Sequence, residues 1–324
     1  AMNQPLLSVI IPAKDQAPFI RDAMTSLTRQ FDDPSVMEII VIDDGSTDGT
    51  GELAAAFTGR LPGLQIHRNN TATGLAAARN QGLDAATGRY ITFFDPDDWY
   101  APGHLARITE EISELGVDFL RVDHIRHTNG VRTVHRAPQA VRGVALDPRR
   151  DIGPSDESTM VDYPFAPFGI FDGALKEAGL LHFLDGLHTA EDRPWIWRLH
   201  LQAASYAVSD QLGAFYRRGV ATSLSQVFDR RQLDFLRSYA EVFRLVAEDP
   251  EADRFRPKAV RQFLAIACHH LDRSDSMTRV VRQELTSGLR TAVAGLPAAA
   301  VAAGVQALGE RRRKTLETAI GALK

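Results

Sequence analysis

Two short apolar runs, each closed by a knot of carboxylates, constrain this chain more than any other feature. Met37-Glu-Ile-Ile-Val-Ile42 leads into Asp43-Asp-Gly-Ser-Thr-Asp48, and Arg89-Tyr-Ile-Thr-Phe-Phe94 leads into Asp95-Pro-Asp-Asp98. Runs this rich in β-branched and aromatic residues suit strands buried on both faces. Leu7-Ser-Val-Ile-Ile11 is a third such run, stopped by Pro12, and Leu64 to His67 a fourth. Between them a helical stripe passes through Ile20, Ala23, Met24 and Leu27, and helices fit about 50–58 and 75–86. Strand and helix alternate over the first 120 residues, which predicts an α/β layer with a mainly parallel central sheet. The carboxylates then gather at the C-terminal edge of that sheet, where ligands bind in open α/β folds.

Beyond about residue 117 the pattern mixes strands (Phe119 to His124, Val131 to Arg136) with loops, and after Arg230 it turns helical. One stripe runs through Leu233, Leu236, Ala240, Phe243 and Ala247, another through Val260, Phe263, Leu264, Ala267 and Leu271. The expected organisation is an α/β domain over 1–225 and a helical accessory region over 226–324, with oligomerisation and ligand docking both open for the latter. Of 324 residues 44% are hydrophobic and the net charge is −4, which excludes disorder and gives no global field for nucleic acid. A single cysteine, Cys268, rules out a disulfide scaffold and fits a reducing compartment. Thr291 to Gly309 is uncharged but dominated by small residues and broken by Pro297, too weakly apolar to span a bilayer. The expected location is cytoplasmic, with contact at the inner face of the membrane left open by the basic stretch Arg311-Arg-Arg-Lys314.

Gly49-Thr-Gly51-Glu-Leu-Ala54 imitates a dinucleotide fingerprint, but the acidic partner expected about 20 residues on is absent. No Walker A loop, H-E-x-x-H or G-x-S-x-G occurs. Asp95-Pro-Asp-Asp98 is the more telling motif. Three carboxylates within four residues repel one another unless neutralised, and hard oxygen ligands on a turn suit Mg²⁺ or Mn²⁺ bridging to substrate phosphates. The plainer alternative makes Asp97 or Asp98 the N-cap of a helix near 102–115.

Val9-Ile-Ile-Pro-Ala13, Val41-Ile-Asp-Asp-Gly-Ser-Thr-Asp48, Gly74-Leu-Ala-Ala-Ala-Arg-Asn80 and Phe93-Phe-Asp-Pro-Asp-Asp98 occur in that order. Together they resemble the successive motifs of family 2 inverting glycosyltransferases, whose Rossmann-like fold is called GT-A. Thr189-Ala-Glu-Asp-Arg-Pro-Trp-Ile-Trp-Arg198 resembles the family's Glu-Asp motif, whereas 230–324 shows no resemblance.

The resemblance implies a metal-dependent transferase that moves a sugar from a nucleotide-sugar, a UDP-sugar first, to an acceptor hydroxyl. The acceptor could be a glycan, a lipid-linked intermediate or another hydroxyl compound, in bacterial cell-surface glycan or glycoconjugate synthesis. Pro12 and Ala13 would line the base pocket, with Asp15 nearby, and Asp44 would accept from the base or ribose. Arg79 would lie near the base or diphosphate. Asp95 would face the ribose and metal, Asp97 would bind the Mn²⁺ or Mg²⁺, and Pro96 would belong to the nucleotide-sugar site with them. Asp192 would be the base that takes the acceptor proton, with Glu191 raising its pKa by like-charge repulsion. Trp99, Tyr100, Trp195 and Trp197 flank the site and could stack on sugar or fill the core.

Three departures qualify the match. Lys14-Asp15 stands where an aromatic–Asn pair is common. Ala72 replaces an Asn, for which Asn70 could substitute. Tyr216-Arg-Arg-Gly-Val-Ala-Thr-Ser-Leu-Ser225 lacks the His that can complete the metal shell, leaving Arg217 or Arg218 to meet the diphosphate. Two rivals stand beside the transferase: a nucleotidyltransferase, which would want a Gly-rich basic loop after the first strand, and an inactive nucleotide-sugar-binding or interaction module.

Overall fold

The computed structural model describes residues 4–219 and 228–321. The later part of the Tyr216–Ser225 segment and the expected boundary after residue 225 lie outside the described residues.

Eleven strands and eleven α-helices make up the described chain. The core sheet has β1 (Leu7–Ala13), β2 (Met37–Asp44), β3 (Leu64–Asn69), β4 (Tyr90–Phe93), β6 (Phe119–Arg121), β9 (Gly169–Asp172) and β10 (Tyr206–Val208). Their order is β10-β6-β9-β4-β1-β2-β3. β1 pairs in parallel with both β2 and β4, β2 with β3, and β6 with β10. β9 alone runs against its neighbours β4 and β6. A mainly parallel α/β sheet is therefore what the alternating pattern produces.

Every residue of β1 and β2 is buried, as expected for central strands covered on both faces. That includes Glu38, whose carboxylate accepts from Ser8 Oγ at 2.6 Å, Thr87 N at 2.8 Å and Thr87 Oγ1 at 3.0 Å. Helices α1 (Ile20–Leu27), α2 (Thr50–Ala55), α3 (Leu75–Ala85) and α4 (His104–Leu115) connect or follow the strands. The four apolar residues of the α1 stripe are all buried. Register places Ala13 beside Asp43, and Asp44 beside Asn69, so β1, β2 and β3 finish at one edge. β4 ends at the level of Ile10 and releases Asp95 at that same edge.

A smaller sheet joins β5 (Trp99–Tyr100), β11 (Ala214–Arg217), β7 (His124–Thr128) and β8 (Val131–His135) in that order. The expected run Phe119 to His124 is thus two strands in two sheets.

After α5 (Gly173–Glu177) and α6 (Asp192–Gln202) come α7 (Asp234–Ala247), α8 (Ala252–Asp272), α9 (Arg279–Ala294), α10 (Ala298–Ala307) and α11 (Glu310–Ile320). One hydrophobic core runs from Leu7 to Leu316 without a break between the two regions. Trp197 on α6 donates to Gln262 on α8 at 2.8 Å, and the Gln262 amide donates to Asp162 at 2.7 Å. Arg149 forks onto Asp249 at 2.7 and 2.8 Å. No helix among the described residues is long and apolar enough to cross a membrane. His270 is buried and stacks on Phe235 at 4.4 Å.

Candidate active site

One wall of the site grows from the loops after β1 and β2. Asp15, with a left-handed φ of 52°, accepts from Thr47 N at 2.8 Å, while its own N–H donates to Ser46 Oγ at 3.0 Å. Asp43 accepts from Arg68 at 2.5 Å and from Ser46 N at 3.1 Å. Gly51 is required because a Cβ there would lie 2.4 Å from the Asp43 carboxylate, which explains the glycines of the false fingerprint. Pro12 and Ala13 are buried beneath this wall.

Asp44 carries protein donors on both carboxylate oxygens. Its oxygens accept from Asn69 Nδ2 (2.9 Å), Thr73 N (2.8 Å), Thr73 Oγ1 (2.9 Å) and Gly74 N (2.9 Å). Burial works to raise its pKa, but these bonds outweigh it and hold the carboxyl below its usual value. Asp44 therefore shapes the loop before α3. Asn69 reaches Asp44, and Asn70, the expected stand-in for the family's Asn, is exposed beside it.

Arg79 is the hinge of the site. Buried on α3, it donates to Asp95 at 3.1 Å and to Glu191 at 3.0 Å, with its guanidinium 5.1 Å from the Phe183 ring. It joins the acid turn to the Glu-Asp motif, so its terminal nitrogens face those carboxylates and not a base or diphosphate. Burial opposes its charge, and Asp95 and Glu191 more than restore it.

The acid turn is not a helix cap. α4 starts after Gly103, which lies in the left-handed region and provides no side-chain cap. Asp98 is buried, accepts from Arg217 N at 3.0 Å and leaves Oδ2 without a partner. Arg217 Nε donates to the Asp97 carbonyl at 2.9 Å, and its guanidinium lies between Phe19 (4.9 Å) and Trp99 (4.8 Å). Arg217 thus fixes the turn. Pro96 is buried within it.

The Asp97 carboxyl accepts no hydrogen bond from the described residues. Burial first, then repulsion from Asp95, push it up to about 7. Burial and both neighbours raise Asp98 well above the carboxylate range. Such a turn is destabilised by its own charge and suited to a cation. Among the described residues no three His, Cys, Asp or Glu side chains form a metal cage. Two carboxylates are nonetheless what Mg²⁺-like cations usually take from a protein, with phosphates and water completing the shell. The residues fit.

Asp192 opens α6, so the helix-start and base readings coincide in space. Its side chain is 28% exposed and accepts no hydrogen bond from the described residues; Arg193 Nε lies 4.0 Å away. Burial raises its pKa, opposed by Arg193 and Arg79 and assisted by Asp95. The expected repulsion between neighbours acts on Glu191 instead: burial first, then Asp192, push it up to about 7.

The loop leading to Asp192 is gripped by the helical region. Ala190 has a left-handed φ of 56°, which costs a non-glycine residue about 1 kcal/mol. Ser238 on α7 donates to the Ala190 carbonyl at 2.7 Å. Asp234 accepts from His188 N at 2.6 Å and Thr189 N at 3.3 Å, and Thr189 Oγ1 donates to the Arg231 carbonyl at 2.5 Å. No local motif announces these clamps. Trp195 and Trp197 are fully buried, with indole nitrogens donating to Leu181 O and Gln262, and Tyr100 is buried too. They are core; Trp99, stacked on Phe215 at 5.1 Å, is the half-buried one.

The family model for glycosyl transferase family 2 matches residues 8–179, more than half of the chain. The chain belongs to this family. It is 29% identical over 226 residues to an uncharacterized glycosyltransferase, EpsJ, of Bacillus subtilis, covering 69% of this chain and 64% of EpsJ. It is 26% identical over 248 residues to the poly(ribitol-phosphate) beta-N-acetylglucosaminyltransferase TarS of Staphylococcus aureus, covering 74% of this chain and 39% of TarS. The chain therefore spans less than two thirds of either relative. In structure it is similar to TarS 1–349 in complex with UDP-GlcNAc, with a TM-score of 0.73 at 19% identity, covering 96% of this chain and 90% of that one. A mannosyltransferase from Pyrobaculum calidifontis in complex with GDP-Man and Mn²⁺ gives a TM-score of 0.55 at 17% identity, covering 97% and 84%. These likenesses establish the GT-A fold of this family 2 member, and their coverage extends into the C-terminal helices.

Proposed function

We propose that this family 2 member is a metal-dependent inverting glycosyltransferase that moves a sugar from a UDP-sugar to an acceptor hydroxyl in bacterial cell-surface glycan synthesis. The observation that carries it is Arg79, which ties the acid turn at Asp95 to Glu191 and so holds the metal-type carboxylates beside Asp192. A nucleotidyltransferase or an inactive module has no use for a partly exposed carboxylate such as Asp192 beside that turn.

Pro12, Ala13, Asp15 and the Asp44-anchored loop would form the nucleoside wall. Asp97 and Asp95 would hold Mn²⁺ or Mg²⁺, which would offset the charge growing on the departing diphosphate. Asp192 would accept the proton of the acceptor hydroxyl as its oxygen bonds to the anomeric carbon and the bond from that carbon to the diphosphate oxygen breaks. Attack from the opposite face inverts the centre. Glu191, held by Arg79, keeps Asp192 in place. The UDP preference is supported by the UDP-GlcNAc complex of TarS, and a hard divalent metal by the Mn²⁺ complex of the mannosyltransferase. The helical region we assign to support of the base loop, through Ser238 and Asp234. Incubating the protein with UDP-GlcNAc and Mn²⁺ should release UDP, and Asp192→Asn should suppress transfer without weakening UDP binding; release unaffected by chelation would refute the metal role.

A further inference from the structure

One face of the small sheet holds positive charge that the mechanism above does not use. Register sets Arg126 on β7 opposite Tyr216 on β11, and His124 opposite His135 on β8. Arg126 Nε meets His124 Nε2 at 3.4 Å and Arg126 Nη2 meets His135 Nε2 at 3.2 Å. Both rings are neutral acceptors. Tyr163 donates its only hydroxyl proton to the Val122 carbonyl at 2.8 Å, so the 2.6 Å contact with His124 Nδ1 requires the imidazole to donate there and leaves Nε2 as a lone pair. Burial, then nearby Arg126, keeps His135 below its ordinary pKa.

Among the described residues Arg126 and Arg218 form no ion pair, and residues 220–227, which follow Arg218, contain no acid. Asp123 is already bonded to Arg142 at 3.0 Å and lies 3.9 Å from Arg136. Arg218 lies over the Tyr216 ring at 5.8 Å, next in sequence to Arg217, which fixes the acid turn. Arg126 is half-buried and Arg218 exposed. A half-buried arginine suits one anionic group on a ligand better than a flat membrane surface.

Topology says which ligand. β1, β2 and β3, with the nucleoside wall, lie on one side of β4, whereas β9 and β6 lie on the other. Only two residues separate the end of β6 from the start of β7, so Arg126 belongs to the side away from the proposed nucleoside wall. We infer that Arg126 and Arg218 form an acceptor subsite for a phosphate-type anion carried close to the hydroxyl that receives the sugar.

This rests on the transferase reading, and a binding experiment separates the two. The probe is a fluorescent glycerol-phosphate oligomer, with a neutral glucan oligomer of equal length as control and UDP with Mn²⁺ titrated in parallel. The wild type should bind the charged oligomer and not the glucan. Arg126→Gln and Arg218→Gln should each weaken that binding by roughly tenfold or more, Arg126→Lys should retain part of it, and UDP affinity should stay within about twofold in the Arg126 variants. Arg218 is exposed, so its variant remains informative if the Arg126 variant misfolds. Equal oligomer binding by Arg218→Gln, parallel loss of UDP affinity, or binding only to phosphatidylglycerol vesicles would overturn the proposal. Oligomer binding without UDP binding would instead overturn the donor assignment.

Discussion

The two halves of the site are built differently. The nucleoside wall is made by residues close to the strand ends that carry them: Asp15 to Thr47, Asp43 to Arg68 and Ser46, Asp44 to Asn69, Thr73 and Gly74. The base side is assembled from a distance. Asp192 follows a strained loop that Ser238, Asp234 and Arg231 hold from the helical region, and Arg79 holds Glu191 from α3. A donor wall made of local bonds can form as soon as the sheet forms. The base reaches its position only when the C-terminal helices are packed.

The largest expected effect falls on the base itself. Asp192→Asn should lower turnover by about 10²–10⁴-fold while UDP affinity and Tm stay near wild type, read by a UDP-release assay and calorimetry. Arg79→Ala attacks the link between the halves. It leaves Asp95 and Glu191 facing each other without the cation and should destabilise the fold by about 3–5 kcal/mol, seen as a large fall in Tm. Arg79→Lys should not restore activity, because a single ammonium cannot replace a fork that meets two carboxylates.

Asp97→Asn tests the acid turn through stability. Its folded pKa of about 7 lies above the unfolded value, so the folded state binds the extra proton. The contribution of this group is fully present below the unfolded pKa, near 4, and is lost as pH rises to about 7 and beyond. With metal chelated, wild-type Tm should therefore fall as pH goes from 6 to 8. The Asn variant should gain roughly 2–4 °C at pH 8 while losing transfer. A fall in its Tm there would contradict the unpaired-carboxylate reading. The smallest effect belongs to the clamp. Asp234→Ala removes the acceptor of two backbone N–H groups and should cost about 1–2 kcal/mol. It should reduce kcat and leave UDP affinity alone, which would sharpen the contrast between the halves.

The same contrast sets what was legible in the sequence. Strand ends rich in acid fall where period and β-branching place them, and β1, β2 and β4 end at one edge accordingly. Asp95 lies at that edge, and Arg79 and Arg217 tie the Glu191-Asp192 segment and β11 to its turn. Roles that depend on partners far away in sequence were not legible. Arg79 looked like a diphosphate ligand because nothing local tells that Asp95 and Glu191 flank it. Trp195 and Trp197 looked available because helical spacing alone does not reveal that α8 covers them. Asn70 and Asn69 differ only in which one the strand turns toward Asp44.

Calorimetric titration of UDP into the protein with and without Mn²⁺ tests the central claim most directly. The account predicts that Mn²⁺ tightens UDP binding by about tenfold or more in the wild type and in Asp192→Asn, and has little effect in Asp97→Asn. Metal-independent UDP affinity in the wild type, or an undiminished Mn²⁺ effect in Asp97→Asn, would contradict it.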